Sequence, residues 1–542
     1  MITVKLKLLK WELAAVFFIF LFSRMPYLGF DTFNTDVWKW KSRIYDFGTG
    51  VFTLNFEKTI QKYHPGVTLM WIGSGAVKVY NFYYETVRKV LPPDNDVQTI
   101  FELNFVQKLF IVIFLGVILT SIYYVLGNMF GRRYAVIVFA LIVFDPFYTA
   151  LSREIHLEGL LSTLMLGSFL WFYYYLENTK DSSRFVISGV LGALAVLTKT
   201  TAAFIVPFSF ILAFVFYYLH NKRLQDSLKL ALTPFYKWLM VFTTCFILFW
   251  PAMWVMPEQA LQSLVKGVFD VGIEEGHEQL YFGRLVEDPG PVYYLVVFAF
   301  RSSILLVIGV FGFLIFSRKS YNSETKKFIF ISLLYSILYL VEITLPSKKL
   351  DRYILPGMLG LMLTAGFFYD WLLGKLKSFH NFAFLWIFLP SFILFVQLVP
   401  DYFSYYNPML GGLPKGIFVL EPKWMIGQKQ IQNYFSALKE KEKLINFGNN
   451  ESLDSAIMKP DINTRLTVGF QEKYYTQIHP FINVIGGRAV IQDLTPHAVR
   501  TKYFVYPVWD DKSKEENRFK LKYLDSIFLR NVEIYRVYAR TN

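Results

Sequence analysis

The sequence predicts a mainly α-helical, polytopic membrane bundle of about 11 spans with a small C-terminal α/β extracytoplasmic domain. Three observations predict it. The 542 residues are 54% hydrophobic and only 18% charged, with a mean hydropathy of +0.37, where a soluble chain carries about a quarter charged residues. Apolar runs long enough to cross a hydrocarbon core, about 20 residues each, recur from residue 8 to residue 400. Beyond Pro400 the chain turns polar for a stretch of domain length.

The runs expected to span are Leu8–Leu28, Gln107–Leu126, Tyr134–Leu151, Leu157–Leu176, Phe185–Thr198, Thr201–Leu219, Tyr236–Met256, Pro291–Phe316, Phe328–Leu345, Tyr353–Leu373 and Phe382–Pro400. Lys5, Lys7 and Lys10 precede the first run as in a signal peptide, but no small-residue cleavage site follows, so it is expected to stay as a span. With the N-terminus in the cytoplasm, five basic loops fall on the cytoplasmic side, as the positive-inside rule requires. They carry Arg132/Arg133, Lys180/Arg184, Lys222/Arg223/Lys229/Lys237, Arg318/Lys319/Lys326/Lys327 and Lys375/Lys377. Residues 1–400 then form the membrane domain, with 29–106 as a first outer loop carrying surface helices, and 401–542 an outer domain. The protein is expected in the plasma or inner membrane. The net charge of +14 sits mainly in short loops between apolar runs, so it is not a nucleic-acid signature. The single cysteine, Cys245, allows no disulfide within the chain and no cysteine metal site, and reads as a buried thiol.

One outer loop breaks the charge rule. Pro346-Ser-Lys-Lys-Leu-Asp-Arg352 is dense in cations, which suits either snorkelling to headgroups or a phosphate-binding patch. Asp36, just after the first span, suits either a helix cap or a general base at the mouth of a cavity. His64-Pro-Gly forms a loop-to-helix turn from which His64 could face that cavity. The second outer turn gathers Arg153, Glu154, His156 and Glu158; if it is helical, Glu154 and Glu158 share a face. Ionisable groups at membrane depth are costly unless paired or functional. Glu274, Glu275, His277 and Glu278 form an acidic loop with no recognised metal-ligand spacing. P-loop, dinucleotide, H-E-x-x-H and G-x-S-x-G motifs are absent from the sequence. The C-terminal part shows strand-like runs at Leu444–Phe447, Arg465–Phe470, Phe481–Ile485, Lys502–Val508 and Val532–Tyr538.

Several segments in order resemble the phospholipid-carrier-dependent glycosyltransferases of the type C fold, which include protein O-mannosyltransferases and lipid A aminoarabinose transferases. They are Thr35-Asp-Val-Trp-Lys-Trp-Lys-Ser-Arg43, Tyr63-His-Pro-Gly-Val-Thr-Leu-Met-Trp71, Leu151-Ser-Arg-Glu-Ile-His-Leu-Glu-Gly159, Leu197-Thr-Lys-Thr200, Phe249-Trp-Pro-Ala-Met-Trp254, His277 with Tyr281-Phe-Gly283, Lys349-Leu-Asp-Arg-Tyr-Ile-Leu-Pro356 and Tyr405-Tyr-Asn-Pro-Met-Leu-Gly-Gly412. The resemblance, over roughly residues 8–435, implies an inverting transfer of a hexosyl- or mannosyl-type sugar. The sugar moves from a polyprenyl phosphate, acting as co-substrate, to an acceptor hydroxyl on the extracytoplasmic face. It implies Asp36 as base; Val37 stands where the family usually has a second acid. It implies Glu158 as a second catalytic acid position, and Lys349 and Arg352, with Lys348 and Arg153, as donor-phosphate ligands. His64, His156 and His277 are the expected substrate-binding histidines. No metal ligands are assigned, and a divalent-cation requirement stays open. Protein, glycolipid and polysaccharide acceptors all stay open; nucleic acid is not a partner. The rival reading, a transporter or lipid flippase, calls for ionisable residues deep in several spans, whereas here they gather at outer span ends.

Overall fold

A computed structural model describes the chain except for residues 1–9, 63, 94–95, 268, 270–277, 377–379, 449–450, 452–459, 493–499, 514–519 and 542. The expected acidic loop at Glu274, Glu275 and His277 lies outside the described residues.

The principal helices of the N-terminal part are α1 (Lys10–Arg24), α2 (Val37–Phe52), α3 (Val67–Tyr83), α4 (Val97–Phe130), α5 (Arg132–Val143), α6 (Pro146–Ser152), α7 (Leu157–Glu177), α8 (Ser182–Thr198), α9 (Ile205–Asn221), α10 (Leu224–Phe249), α11 (Tyr293–Arg301), α12 (Ile304–Gly312), α13 (Ser323–Thr344), α14 (Leu355–Lys375) and α15 (His380–Gln397). Among the described residues, six helices are able by length and composition to cross a membrane, or eight if each of two bent pairs is one span. The chain is a multi-pass membrane protein, but two expected spans are not straight. Tyr134–Leu151 breaks into α5 and α6 with a 68° bend. Asp145 there caps the Tyr148 amide at 2.9 Å and Pro146 opens the new helix, because the residue before a proline leaves the helical region. Pro291–Phe316 turns through 114° between α11 and α12, where Ser303 in extended conformation caps α12.

α7 is the hub. Its apolar window is 94% buried, because α4, α8, α9 and α14 surround it. A helix apolar all round belongs inside a bundle, and small residues let the others approach. A Cβ on Gly167 would meet Leu191 at 3.0 Å, and one on Gly192 would meet Trp238 at 2.7 Å. The two ends of the bundle are marked by polar contacts. Glu12 of α1 meets Arg132 at 2.8 Å. At the other end of the same two helices Arg24 donates to the Val143 carbonyl at 2.6 Å.

The C-terminal part contains α16 (Gln428–Glu442), α17 (Glu472–Val484) and a hairpin-plus-sheet set of strands: β1 (Gln279–Tyr281) and β2 (Arg284–Val286) from the preceding loop, then β3 (Thr467–Phe470), β4 (Arg488–Ile491), β5 (Tyr503–Pro507), β6 (Leu521–Leu529) and β7 (Val532–Arg540). The last five form one sheet in the order β4-β3-β5-β7-β6. β3 pairs parallel with β4 and β5, and β7 pairs antiparallel with β5 and β6. Phe481–Ile485, expected as a strand, lies mostly in α17. Tyr474, Gln477, Ile478, Phe481 and Ile482 are its buried face, a helical spacing that a short apolar run conceals. Leu444–Phe447 makes only an isolated bridge, Ile445 to Arg465.

Candidate active site

α2 starts at Val37, so Asp36 occupies its N-cap position, yet its side chain caps nothing. The carboxylate faces a cavity of about 1380 Å³ instead. Its Oδ2 lies 3.4 Å from His156 Nε2 and 3.9 Å from Arg352 Nη2, and its Oδ1 lies 3.4 Å from Lys39 Nζ. Burial pushes the Asp36 carboxyl up. The His156 hydrogen bond and charge, then Arg352 and Lys39, outweigh burial and hold it below the ordinary carboxylate range.

His156 precedes α7 in extended conformation, so the Arg153–Glu158 segment is not one helix. Glu154 and Glu158 therefore go to different places instead of sharing a face. Glu158, 1% exposed, pairs with His156 Nδ1 through Oε2; its Oε1 is 2.9 Å from Lys199 Nζ and 3.5 Å from Arg352 Nε. It lines the cavity with both oxygens engaged. Burial disfavours a charged His156, but Glu158 and the Asp36 bond prevail and raise its imidazole above the ordinary value. Lys199 ends α8 and sits 3.7 Å over the Tyr353 ring. Its place in the cluster was not assigned from sequence, although the Leu197-Thr-Lys-Thr200 motif held the signal.

The cationic loop divides by alternation. Leu350 is extended, so Lys348, Leu350 and Arg352 line the cavity while their neighbours turn inward. Lys349, expected at the donor phosphate, is 2% exposed and lies 2.8 Å from Asp288 Oδ1. Asp351 pairs with Arg301 at 2.9 Å. Arg153 is also withdrawn. It is 1% exposed, 2.8 Å from Asp31 Oδ2, and donates to the Pro26 carbonyl at 2.6 Å. His64 does reach the cavity, with burial and the nearby Lys199 charge pushing its imidazole down to about 3. Its turn depends on Gly66, whose φ of +59° favours glycine and where a Cβ would meet Trp40 at 2.3 Å. Among the described residues no group of three or more His, Cys, Asp and Glu is placed to hold a metal ion.

Two devices hold the Asp36 loop. Below it, Lys108 of α4 lies 3.0 Å from Asp31 and 2.9 Å from Glu154 and is 0% exposed. Glu154 Oε2 accepts from Asn34 Nδ2 at 3.1 Å, and Asn34 Oδ1 accepts from the Asp36 amide at 3.0 Å. Buried charges of this kind persist only when fully paired. Above it, the C-terminal part clamps the loop. Gln428 accepts from the Phe33 amide at 2.9 Å and donates back to the Phe33 carbonyl at 2.8 Å. Thr35 donates to the Lys423 carbonyl at 3.3 Å, and Trp38 donates to the Thr476 carbonyl at 2.6 Å. In the same segment Trp40 is buried over Gly66, and Trp38 packs against Phe33 and His479.

Residues 98–255 match the family model described as dolichyl-phosphate-mannose-protein mannosyltransferase. No curated protein matches the chain by sequence. Among solved structures, the chain is similar to the crystal structure of ArnT from Cupriavidus metallidurans bound to undecaprenyl phosphate, with a TM-score of 0.48 and 14% identity over 98% of this chain and 97% of that one. It is similar also to the archaeal oligosaccharyltransferase AglB from Archaeoglobus fulgidus in complex with an inhibitory peptide and a dolichol-phosphate, at 0.45 and 14% over 95% and 73%. A crystal structure of the Archaeoglobus fulgidus oligosaccharyltransferase complex with Zn and sulfate gives 0.49 and 13% over 97% and 73%. The family match lies across α4 to α10, the stretch that carries His156, Glu158 and Lys199 of the cavity.

Proposed function

We propose that this chain moves a sugar, of hexosyl or mannosyl type, from a polyprenyl phosphate to an acceptor hydroxyl, with inversion, on the extracytoplasmic face of the cell membrane. The observation that carries this reading is the meeting of one deprotonated carboxylate, Asp36, with Lys199, Lys348 and Arg352 in a single cavity at one end of the bundle. Asp36 takes the acceptor proton as the acceptor oxygen bonds to the anomeric carbon. The bond from that carbon to the phosphate oxygen breaks, and its electron pair leaves with the lipid phosphate. Arg352 and Lys348 meet the growing phosphate charge. Glu158 is the hub that orients His156, Lys199 and Arg352, a more restricted role than that of a second catalytic acid.

We place 1–400 as the membrane domain and 401–542 as the outer domain, with the N-terminus cytoplasmic. The Glu12–Arg132 contact supports this orientation, because it sets the basic 131–133 turn beside the start of α1 and at the far end from Asp36. The test is turnover of a radiolabelled undecaprenyl-phosphate sugar by the full chain in nanodiscs. Native mass spectrometry of the retained lipid is read in parallel. Transfer that survives in Asp36→Asn removes Asp36 as the base. A wild-type protein that retains no lipid phosphate and only moves lipids between leaflets would favour the flippase reading.

A further inference from the structure

Part of the cavity wall belongs to the C-terminal sheet. Gln471 follows β3, Gln492 follows β4 and Asp510 stands just beyond β5, and all three line the cavity. β3 lies between β4 and β5 and runs parallel to both. The chain leaves β3 through α17 to reach β4 on one side, then crosses to β5 on the other. Such a reversal opens a crevice at the carboxyl ends of the strands, where open α/β sheets take their ligands. Here that crevice opens onto the cavity that holds Asp36.

Its chemistry is specific. Lys473 Nζ lies 2.7 Å from Glu421 and 3.0 Å from Asp510. Lys423 is 3.6 Å from Glu421, and Lys512 is 4.0 Å from Asp510. Each lysine of this wall is thus matched by a carboxylate. Gln471 is only 7% exposed, and its Nε2 leans on Asp510 at 3.4 Å. Its Oε1 is buried without a hydrogen-bond partner. A buried amide oxygen left unmatched is costly, and a ligand hydroxyl would satisfy it.

We infer that this wall is the acceptor subsite and that it takes a neutral glycan. The inference rests on the transferase reading above in calling that glycan the acceptor. Paired lysines and carboxylates interleaved with amides offer donors and acceptors together, which suits hydroxyls that both give and accept. A phosphorylated headgroup needs uncompensated cations, and among the described residues this wall has none to spare. An extended peptide is captured along an open strand edge, whereas the cavity presents strand ends.

The test uses the full chain in nanodiscs and saturation-transfer NMR with four probes: maltotriose, maltotriose monophosphate, a Ser/Thr-rich peptide, and maltotriose carried on a lipid. The expected result is binding of maltotriose, free or lipid-borne, that weakens about tenfold in Gln471→Leu and to a similar extent in Gln471→Met, neither of which has the acceptor oxygen. Stronger binding of the lipid-borne form assigns the glycan to a glycolipid; equal binding assigns it to a free saccharide. Retention of undecaprenyl phosphate, read by native mass spectrometry, serves as the folding control and is expected to be unchanged in both variants. Preference for the peptide or the phosphorylated sugar overturns the inference. So does maltotriose binding that Gln471→Leu leaves intact, or no binding to the wild type. Failure of the wild type to retain undecaprenyl phosphate sinks the donor reading instead and leaves the glycan result legible.

Discussion

The two walls of the cavity carry similar side chains in opposite arrangements. On the bundle side, Lys39, Arg43, Lys62, Lys199, Lys348 and Arg352 face Asp36, Asp46 and Glu158, an excess of cations. On the sheet side, Lys423, Lys473 and Lys512 face Glu278, Glu421, Glu472 and Asp510, which leaves no excess of cations. Charge that is compensated within a wall contributes hydrogen bonds and rigidity, whereas charge left in excess waits for a ligand of opposite sign. The difference teaches how one cavity can receive a lipid phosphate on one side and a neutral hydroxyl on the other. Asp36 belongs to the first wall but is held in place by the second.

The sharpest way to break this comparison is at Asp36. Asp36→Asn keeps the shape and the hydrogen bond with His156 but cannot take a proton. Transfer is expected to fall by about 10³-fold, within the usual range for a general base, while donor lipid still binds. Steady-state turnover with the radiolabelled donor, beside lipid retention, measures both. The next effect lies in the cationic loop, where two adjacent lysines should behave differently. If Arg352 and Lys348 meet the donor phosphate as proposed, Arg352→Met and Lys348→Met each remove a charge-assisted contact, and each should weaken donor binding by about 10- to 100-fold. Lys349→Met should leave donor affinity unchanged and lower thermal stability, because its ammonium serves Asp288 and the Pro346 carbonyl. Equal losses of affinity at 348 and 349 would show that the alternation along the loop does not sort their roles.

That alternation also marks the limit of what the sequence could tell. The bundle was legible because lipid demands long apolar runs, and the misplaced cations of Pro346–Arg352 stood out against the charge rule. Asp36, His64, His156, Glu158, Lys348 and Arg352 do line one cavity. Which of two neighbouring lysines points inward is a matter of backbone conformation at Leu350, and nothing in Lys-Lys-Leu-Asp-Arg encodes it locally. Arg153 carried the same ambiguity: a buried arginine beside a site is equally suited to a ligand or to a structural carboxylate, and Asp31, 122 positions away, settles it. The bends in two spans had local signals, Asp145-Pro146 and Ser302-Ser303, which apolar run length hides. The sheet wall was illegible because its lining comes from five separate segments of the chain.

The clamp across the walls gives the next smaller effect. Gln428→Leu removes both hydrogen bonds to the Phe33 backbone, at about 1 kcal/mol each, and leaves every cavity-lining side chain in place. Turnover should fall about tenfold with donor affinity preserved, as expected when positioning alone is lost. Gln428→Glu can accept from the Phe33 amide but cannot donate to its carbonyl, so it should recover only part of the rate. A loss of donor affinity matching the loss of turnover would mean that Gln428 shapes the cation wall and does not merely hold Asp36.

The smallest effect is the part of the pH dependence of stability that the Asp36–His156 pair contributes, and its sign follows from the shifts of those two groups. His156 has its imidazole raised in the folded protein, so its stabilising contribution is complete below its unfolded value near 6.5 and disappears as pH rises through the raised folded value. Asp36 has its carboxyl lowered, so its contribution is complete above its unfolded value near 3.9 and is lost only as pH falls through the depressed one. Between about pH 4 and 6.5 both contributions are therefore present. His156→Gln should melt below the wild type across that window, and the gap should narrow as the buffer is made more alkaline. Differential scanning fluorimetry of the two proteins in the same nanodiscs reads it directly. A gap that widens with rising pH would mean that His156 is neutral in the folded state, and that Arg352 and Lys39 alone keep Asp36 ionised.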